Sequence, residues 1–434
     1  VSQQQPAADA SLDQWLSYIE ACHPAEIELG LERMRQVAGH LALDLSSSFK
    51  LVVAGTNGKG TSIRLLESIL QAAGLKVGTY TSPHFLRYNE RITLLGQAVS
   101  DAQICEAFAQ VEVARKGVPL TYFEYGTLAA LIIFSAAKPD VLLLEIGLGG
   151  RLDSVNLVDA DVALITTIAL DHTDWLGPDR ESIGFEKAGI FRPGCLAVCG
   201  DPQPPASLLK HAANLGVDLR TNGQAYHYSL DGDALWAWQG QDLAGHCTAL
   251  SSLPCPSLPL QNAAAVLQVL QLIPFDIAKQ HVDAGLANAR LTGRMQPARL
   301  AGYPCILDVA HNPESATYLA SVLSQHPVSP THLLLGMLAD KDMTSVCEAL
   351  LPVVDFWHLV TLDNPRGASA DQLKQILNKL GVPSTSMAEY SCVDTALAQL
   401  PSQLTNTSRL VIAGSFFTVT DALKTVEWTD GRQG

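Results

Sequence analysis

The segment Gly55-Thr56-Asn57-Gly58-Lys59-Gly60-Thr61 constrains the fold of this chain more than any other. Before it runs FKLVVAG, an apolar stretch that reads as a buried strand. After it, a helical pattern runs from about Thr61 to Ala73. Strand, glycine turn and helix in that order bring backbone N–H groups and the positive end of a helix to one point, an arrangement that binds phosphate. Lys59 is spaced to reach the β- and γ-phosphates of a nucleotide, and the Thr61 hydroxyl to hold Mg²⁺. The match to G-x-x-x-x-G-K-[ST] is loose, since Gly60 stands between Lys59 and Thr61. An ordinary glycine turn is the competing reading, and a lysine and a threonine in this context outweigh it.

The remaining chain alternates strand and helix patterns. Residues 11–40 read as a helical opening with Leu12, Trp15, Leu16 and Ile19 on one face. KVGTYTS is a second strand, 101–116 and 122–138 are helices, and VLLLEIG (141–147) and VALITTIAL (162–170) are strands buried on both faces. The stretch 222–258 changes to short alternating segments such as YHYSL and ALWAW, a small antiparallel excursion. Helices follow at about 260–273 and 276–288. After the junction 291–296 a new alternation begins: CILDVA, HLLLGML, FWHLVTL and RLVIAGS, each followed by a helix. The expected fold is α/β. A P-loop domain over 1–290 carries a mainly parallel sheet with a small antiparallel subsheet, and a smaller Rossmann-like α/β domain covers 297–434.

Composition narrows the partners. The net charge of −15 repels nucleic acid and anionic membrane, and neither is expected as a partner. It also repels ATP, so a nucleotide site must gather cations from among Lys59, Arg87, Arg91, Arg151, Lys187 and Arg294. The longest apolar run, Leu128 to Ala137, falls short of the ~20 residues of a membrane span. The first residues have no basic start or apolar core, so no secretory signal is expected. Nine scattered cysteines with no C-x-x-C pair read as reduced thiols of a cytoplasmic protein.

Three polar residues recur where strands end. Glu145 closes VLLLE, Ser82 lies in TSPH and His172 in ALDHTDW, and ligands gather at such edges of open α/β sheets. Alone, Glu145 is equally a surface acid and His172 is more often structural. Lys187 in FEKAGIF reads as a helix lysine paired with Glu186 or Asp179.

GTNGKGT, TSPH with RYNERI, TYFEYGT, LEIGLGGRLDSVN, ALDHTDWLG, EKAGIF, LTGR and DVAHNP stand in one order across about residues 12 to 420. In this the chain closely resembles the bacterial bifunctional dihydrofolate synthase/folylpolyglutamate synthases, relatives of the Mur peptide ligases. IELGLERM, TYFEYGT and GLGGRLDSVN are particular to the folate branch. The resemblance implies an ATP-dependent ligase that makes an acyl phosphate and joins L-glutamate to dihydropteroate and to reduced folates, acting as a monomer. It assigns Asn57, Gly58, Lys59, Gly60, Thr61, Asn262, Arg294 and Asp308 to ATP. It assigns Thr61, Ser82, Glu145, His172 and a carbamylated Lys187 to two Mg²⁺ ions, with Lys59, Glu145, His172 and Lys187 in the catalytic set. It leaves room for a monovalent cation. The pteroate side falls to Ile27, Glu28, Leu29 and Gly30, to Thr121, Tyr122 and Phe123, and to Leu152, Asp153 and Ser154. Relatives usually carry Asp at the position of Glu28. His311 and Ser415 are assigned to glutamate. The nearest alternative is a Mur-type cell-wall amino-acid ligase, which the folate-branch segments disfavour. A nucleotide switch is disfavoured because no N-K-x-D segment is present and the second α/β domain would be surplus.

Overall fold

The computed structural model describes residues 5–7, 9–23, 25, 27–232 and 234–429. The chain divides into two compact units, Val1–Ala289 and Arg290–Gly434. No helix among the described residues is long and apolar enough to cross a membrane.

In the first unit, eight described strands form one sheet. From edge to edge it runs Gln97–Ala98, Ile92–Leu94, Val77–Tyr80, Val141–Glu145, Phe49–Ala54, Val162–Ile165, Leu196–Cys199 and Asp218–Thr221. All neighbours are parallel except at the Ile92–Leu94 strand, which is antiparallel to both of its partners. Covered on both faces, the central strands must be apolar throughout. Val141–Glu145 has every residue buried, and Glu145 is its one charge. The excursion forms a separate antiparallel sheet of His227–Asp231, Leu235–Gln241 and Cys247–Pro254. Trp236 and Trp238 are buried there, and the Trp238 indole donates to the Ala264 carbonyl at 3.0 Å, fastening the sheet to the helix Leu260–Leu270. A buried indole needs such a partner for its N–H.

Several boundaries differ from the sequence expectation. The opening is two helices, Leu12–Glu20 and Glu32–Ala38, and 27–30 between them is irregular. The helix after the glycine loop begins at Lys59 rather than Thr61. The run 162–170 is a strand only to Ile165; past it the partner is the glycine loop, with Thr166 Oγ1 donating to Asn57 O and Thr167 Oγ1 accepting from Asn57 N. The stretch 291–296 is bound into the second unit: Gly293 accepts from Val309 N, and Met295 N donates to Asp308 at 2.9 Å.

The sheet of the second unit runs Met387–Tyr390, Phe356–Val360, Thr331–Leu335, Arg409–Ala413, Tyr303–Asp308, Gln296–Leu300 and Glu427–Trp428, with the last two strands antiparallel to their neighbours. A chain of polar groups runs into it from the exposed Gln403 to the buried Tyr390, His358 and His332. Gln403 Nε2 donates to the Tyr390 hydroxyl at 3.1 Å, Tyr390 lies 3.1 Å from His358 Nδ1, and His358 Nε2 lies 3.0 Å from His332 Nδ1. Donors satisfy acceptors along the whole chain when both imidazoles are neutral. Burial, with His332 alongside, holds His358 down at about 4, and burial also lowers His332. The unfolded chain therefore binds more protons than the folded one between pH 6.5 and about 4. Stability is full above pH 6.5 and falls with pH through that window, by about 3 kcal/mol at most from His358. Thermal unfolding across this range should show the decline, and His358→Leu should flatten it.

Candidate functional site

Gly58 makes the sharp entry into the helix Lys59–Ala72 in the left-handed region, at φ 86°. The Lys59 ammonium folds back over the loop, donating to Gly55 O at 3.1 Å and Thr56 O at 3.3 Å. Thr166 Oγ1 donates to Asn57 O at 2.6 Å, and Thr56 N donates to Thr167 O at 2.7 Å. Asn262 Nδ2 donates to Gly58 O and to Ser62 Oγ, at 3.3 and 3.2 Å. The loop is thus fixed from two sides before any phosphate arrives. Thr166 and Thr167 were not foreseen as supports; two adjacent hydroxyls in an otherwise apolar run were the available signal.

Glu145 stands opposite Val53 in the parallel pairing, so its carboxylate emerges beside the end of the strand that feeds the loop. Its Oε2 accepts from Ser82 N at 3.1 Å, which brings these two expected residues together. Thr61 is buried in the first helical turn. His172 is exposed, in a left-handed conformation (φ 51°) at the start of the short helix Thr173–Leu176, where its N–H donates to Asp171.

The expected partners of Lys187 are engaged elsewhere. Glu186 pairs with Arg151 at 2.8 Å, and Asp179 caps the helix Arg180–Ala188 by accepting from Ser182 N. Lys187 itself is 3% exposed. Burial, reinforced by the charge of Lys59, pushes its amine down to about 7. Of the other candidate cations, Arg87 pairs with Asp101, while Arg91 donates to His84 Nδ1 at 2.8 Å and lies over the rings of Tyr88 and Tyr122.

Hydroxyls, one carboxylate and one imidazole are donors suited to Mg²⁺, which keeps waters and phosphate oxygens in its shell. Among the described residues no three His, Cys, Asp or Glu side chains form a cage of their own. The donor set fits a metal that takes further oxygens from a nucleotide and water.

The three segments expected on the pteroate side converge. Gly30 N donates to Leu152 O at 3.1 Å. A Cβ on Gly147 would stand 2.6 Å from the Phe123 ring and 3.2 Å from Asp153 Oδ2, so only glycine lets 121–123 and 152–154 close on this turn. Phe123 stacks on Tyr80 at 5.9 Å. Thr121 caps the helix Tyr122–Ala137, and Ser154 Oγ meets Thr127 Oγ1 at 2.8 Å. The Asp153 carboxylate faces inward, accepting from Leu148 N at 2.8 Å and Val155 N at 2.9 Å, and burial raises it to about 7. Its contribution to the segment is the shape of the turn. The Glu28 side chain is half exposed and is turned to Arg33 and to His23, whose Nε2 lies 3.0 Å away. A cavity of about 520 Å³ opens beside these segments, lined by Gly30, Leu31, Arg33, Arg35, Arg151 and Leu152 among others.

Within the second unit, Asp308 is buried and accepts from Met295 N and Ala310 N; burial raises its carboxyl, against the pull of Arg294. Arg294 lies over Phe416 at 5.7 Å, the His311 ring lies 6.3 Å from the same ring, and Ser415 caps the helix that Phe416 begins. All four expected residues of this unit therefore gather at one end of its sheet.

A fixed glycine loop, a strand-end carboxylate and a second α/β unit define an ATP-dependent ligase of the Mur type. The Mur ligase middle domain model matches residues 53–244, and the Mur ligase glutamate ligase domain model matches 293–416. The dihydrofolate synthase/folylpolyglutamate synthase of Escherichia coli K12 is 44% identical, over 97% of both chains. Among solved structures, E. coli FolC in complex with DHPP and ADP superposes with a TM-score of 0.90 at 43% identity, covering 97% of this chain and 98% of that one. A bifunctional folylpolyglutamate synthase/dihydrofolate synthase with Mn, AMPPNP and L-glutamate bound gives 0.89 at 46%, over 97% and 99%. The chain belongs to the dihydrofolate synthase/folylpolyglutamate synthase family.

Proposed function

We propose that this enzyme adds L-glutamate to dihydropteroate, giving dihydrofolate, and to reduced folates, extending a γ-glutamyl chain. The observation that carries the reading is the junction of Glu145 and Ser82 beside the glycine loop, with Lys187 buried within reach of the charge of Lys59.

A carboxylate is a poor acylating agent because its leaving group would be oxide. Its oxygen attacks the γ-phosphorus of ATP, and ADP leaves. The amine of L-glutamate then attacks the acyl carbon, phosphate leaves, and the nitrogen loses a proton to give the amide. Lys59 and the loop N–H groups bind the β- and γ-phosphates and offset charge on the transferring group. Thr61, Ser82, Glu145, His172 and a carbamylated Lys187 hold two Mg²⁺ ions, which supply further charge neutralisation. We assign Asn262, Arg294 and Asp308 to the nucleotide, and His311 and Ser415 to glutamate, on the resemblance and on their grouping within each unit. The segments 27–30, 121–123 and 152–154 take the flat pterin end. We place the enzyme in the cytoplasm, in keeping with its nine free thiols, and take it as a monomer on the resemblance alone.

The test is incubation with ATP, L-glutamate and dihydropteroate, followed by mass spectrometry. Dihydrofolate and ADP are expected. No dihydrofolate, with product instead from a UDP-sugar peptide acceptor, would overturn the folate reading.

A further inference from the structure

We propose that Arg33, acting with Glu124, is the positioning residue that sets the pteroate side of the site. The inference rests on the folate reading above and adds two residues to it.

Residues 27–30 have no regular secondary structure, so their placement depends on what ties them down. One tie is the backbone bond from Gly30 to Leu152. A contact between His23 Nε2 and the Glu28 carboxylate at 3.0 Å is another, and the tie that reaches furthest is the Arg33 guanidinium, on the first turn of the helix Glu32–Ala38. Its Nε donates to both oxygens of Glu124, at 2.8 and 2.9 Å. One terminal nitrogen donates to the Glu28 carboxylate and the other to the Glu28 carbonyl, at 2.5 Å for the latter. Glu124 is itself fixed. It lies in the first turn of the helix Tyr122–Ala137, accepts from Thr121 N at 2.8 Å, and its side chain is only 4% exposed. One fork thus joins the main chain of 27–30 to the helix start that carries Thr121, Tyr122 and Phe123. Arg33 also lines the cavity beside Gly30 and Leu152.

The planar guanidinium matters here as a shape. Its donors point in fixed directions, two parts toward Glu28 and one toward Glu124, and an ammonium cannot reproduce that span. The longer side chain at position 28 is part of the same arrangement, since Glu28 touches Arg33 and His23 instead of extending freely. A substrate bound between these segments feels any slip of the fork as a change in the spacing of its walls, and an error of about 1 Å in positioning can cost up to about a hundredfold.

A buried ion pair can also be merely structural, and the two roles predict different kinetics. Removing one partner of a structural pair lowers stability and weakens every substrate together. A positioning role raises KM selectively. Arg33→Lys keeps a cation near Glu124 and should fold; Glu124→Gln keeps an acceptor for Thr121 N and provides an independent variant. For both, KM for dihydropteroate and for tetrahydrofolate should rise together by roughly tenfold, while KM for ATP and for L-glutamate stays within about twofold. Unchanged pterin-substrate KM values in both variants, or a parallel rise for all substrates, would overturn the proposal. If the unsubstituted enzyme itself makes no dihydrofolate, the folate reading falls and this inference with it. If it does and the variants match it, the role of Arg33 alone is refuted.

Discussion

Lys187→Ala is expected to lower ligation by about three orders of magnitude, equivalent to about 4 kcal/mol of transition-state stabilisation. Lys187 sits at the end of the helix Arg180–Ala188, 3% exposed, with its amine pushed down to about 7 by burial and by Lys59. A protonated lysine there would face Lys59 and repel any metal held by Glu145. The free amine has another course, since it can attack CO₂ to form a carbamate and release a proton. The product would be an anion that complements Lys59 and would offer oxygen to Mg²⁺. Only the neutral amine reacts, so carbamylation and activity should decline as pH falls through about 7. Mass analysis of the native protein should find an added CO₂ on Lys187. A small carboxylate such as acetate should restore part of the activity to Lys187→Ala, because it returns the missing oxygen donor. An alanine variant within tenfold of the parent, or an active metal-bound enzyme whose Lys187 carries no CO₂, would refute this role.

Lys187 also marks where sequence reading stops. It follows Glu186 in the sequence and reads as a solvated, paired lysine, although neighbours one residue apart do not share a helix face. The structure turns Glu186 out to Arg151, 35 positions earlier in the chain, and rotates Lys187 inward. Which face of a helix is buried against which loop is decided by contacts distant in sequence. The alternation of apolar runs with helical patterns was enough to expect a mainly parallel sheet and a second α/β unit, because parallel strands buried on both faces can tolerate little else. Strand ends were less legible. VALITTIAL reads as one strand, yet Thr166 and Thr167 serve the glycine loop, a partner more than a hundred residues away. The elements between 174 and 221 are short and interrupted by Gly and Pro, and their periodicity is too brief to register. The segments that hold Asp153 and Glu28 could be singled out from the sequence, whereas the direction of their side chains could not. Asp153 turns to backbone N–H groups, and Glu28 to Arg33 and His23.

Gly58→Ala is expected to raise KM for ATP by roughly ten- to a hundredfold and to lower the melting temperature by several degrees. Two costs coincide at this position. At φ 86° a residue with a Cβ is strained by about 1 kcal/mol. That Cβ would also stand 2.2 Å from Asn262 Nδ2, a separation no packing allows. Either the loop or Asn262 must move. If the loop moves, its N–H groups no longer converge on a phosphate. If Asn262 moves, Gly58 O and Ser62 Oγ lose their donor. Gly58→Ala combined with Asn262→Ala separates the two costs. Removing the amide relieves the clash and should recover part of the lost stability, while the strain at φ and the loss of Asn262 leave ATP binding weak. Lys59→Met provides the comparison: it removes the cation and its bonds to Gly55 O and Thr56 O but introduces neither the strain at φ nor the clash with Asn262, and should reduce kcat with a smaller fall in melting temperature than Gly58→Ala. A Gly58→Ala variant that binds ATP as tightly as the parent would show that the nucleotide phosphates are held somewhere other than this loop.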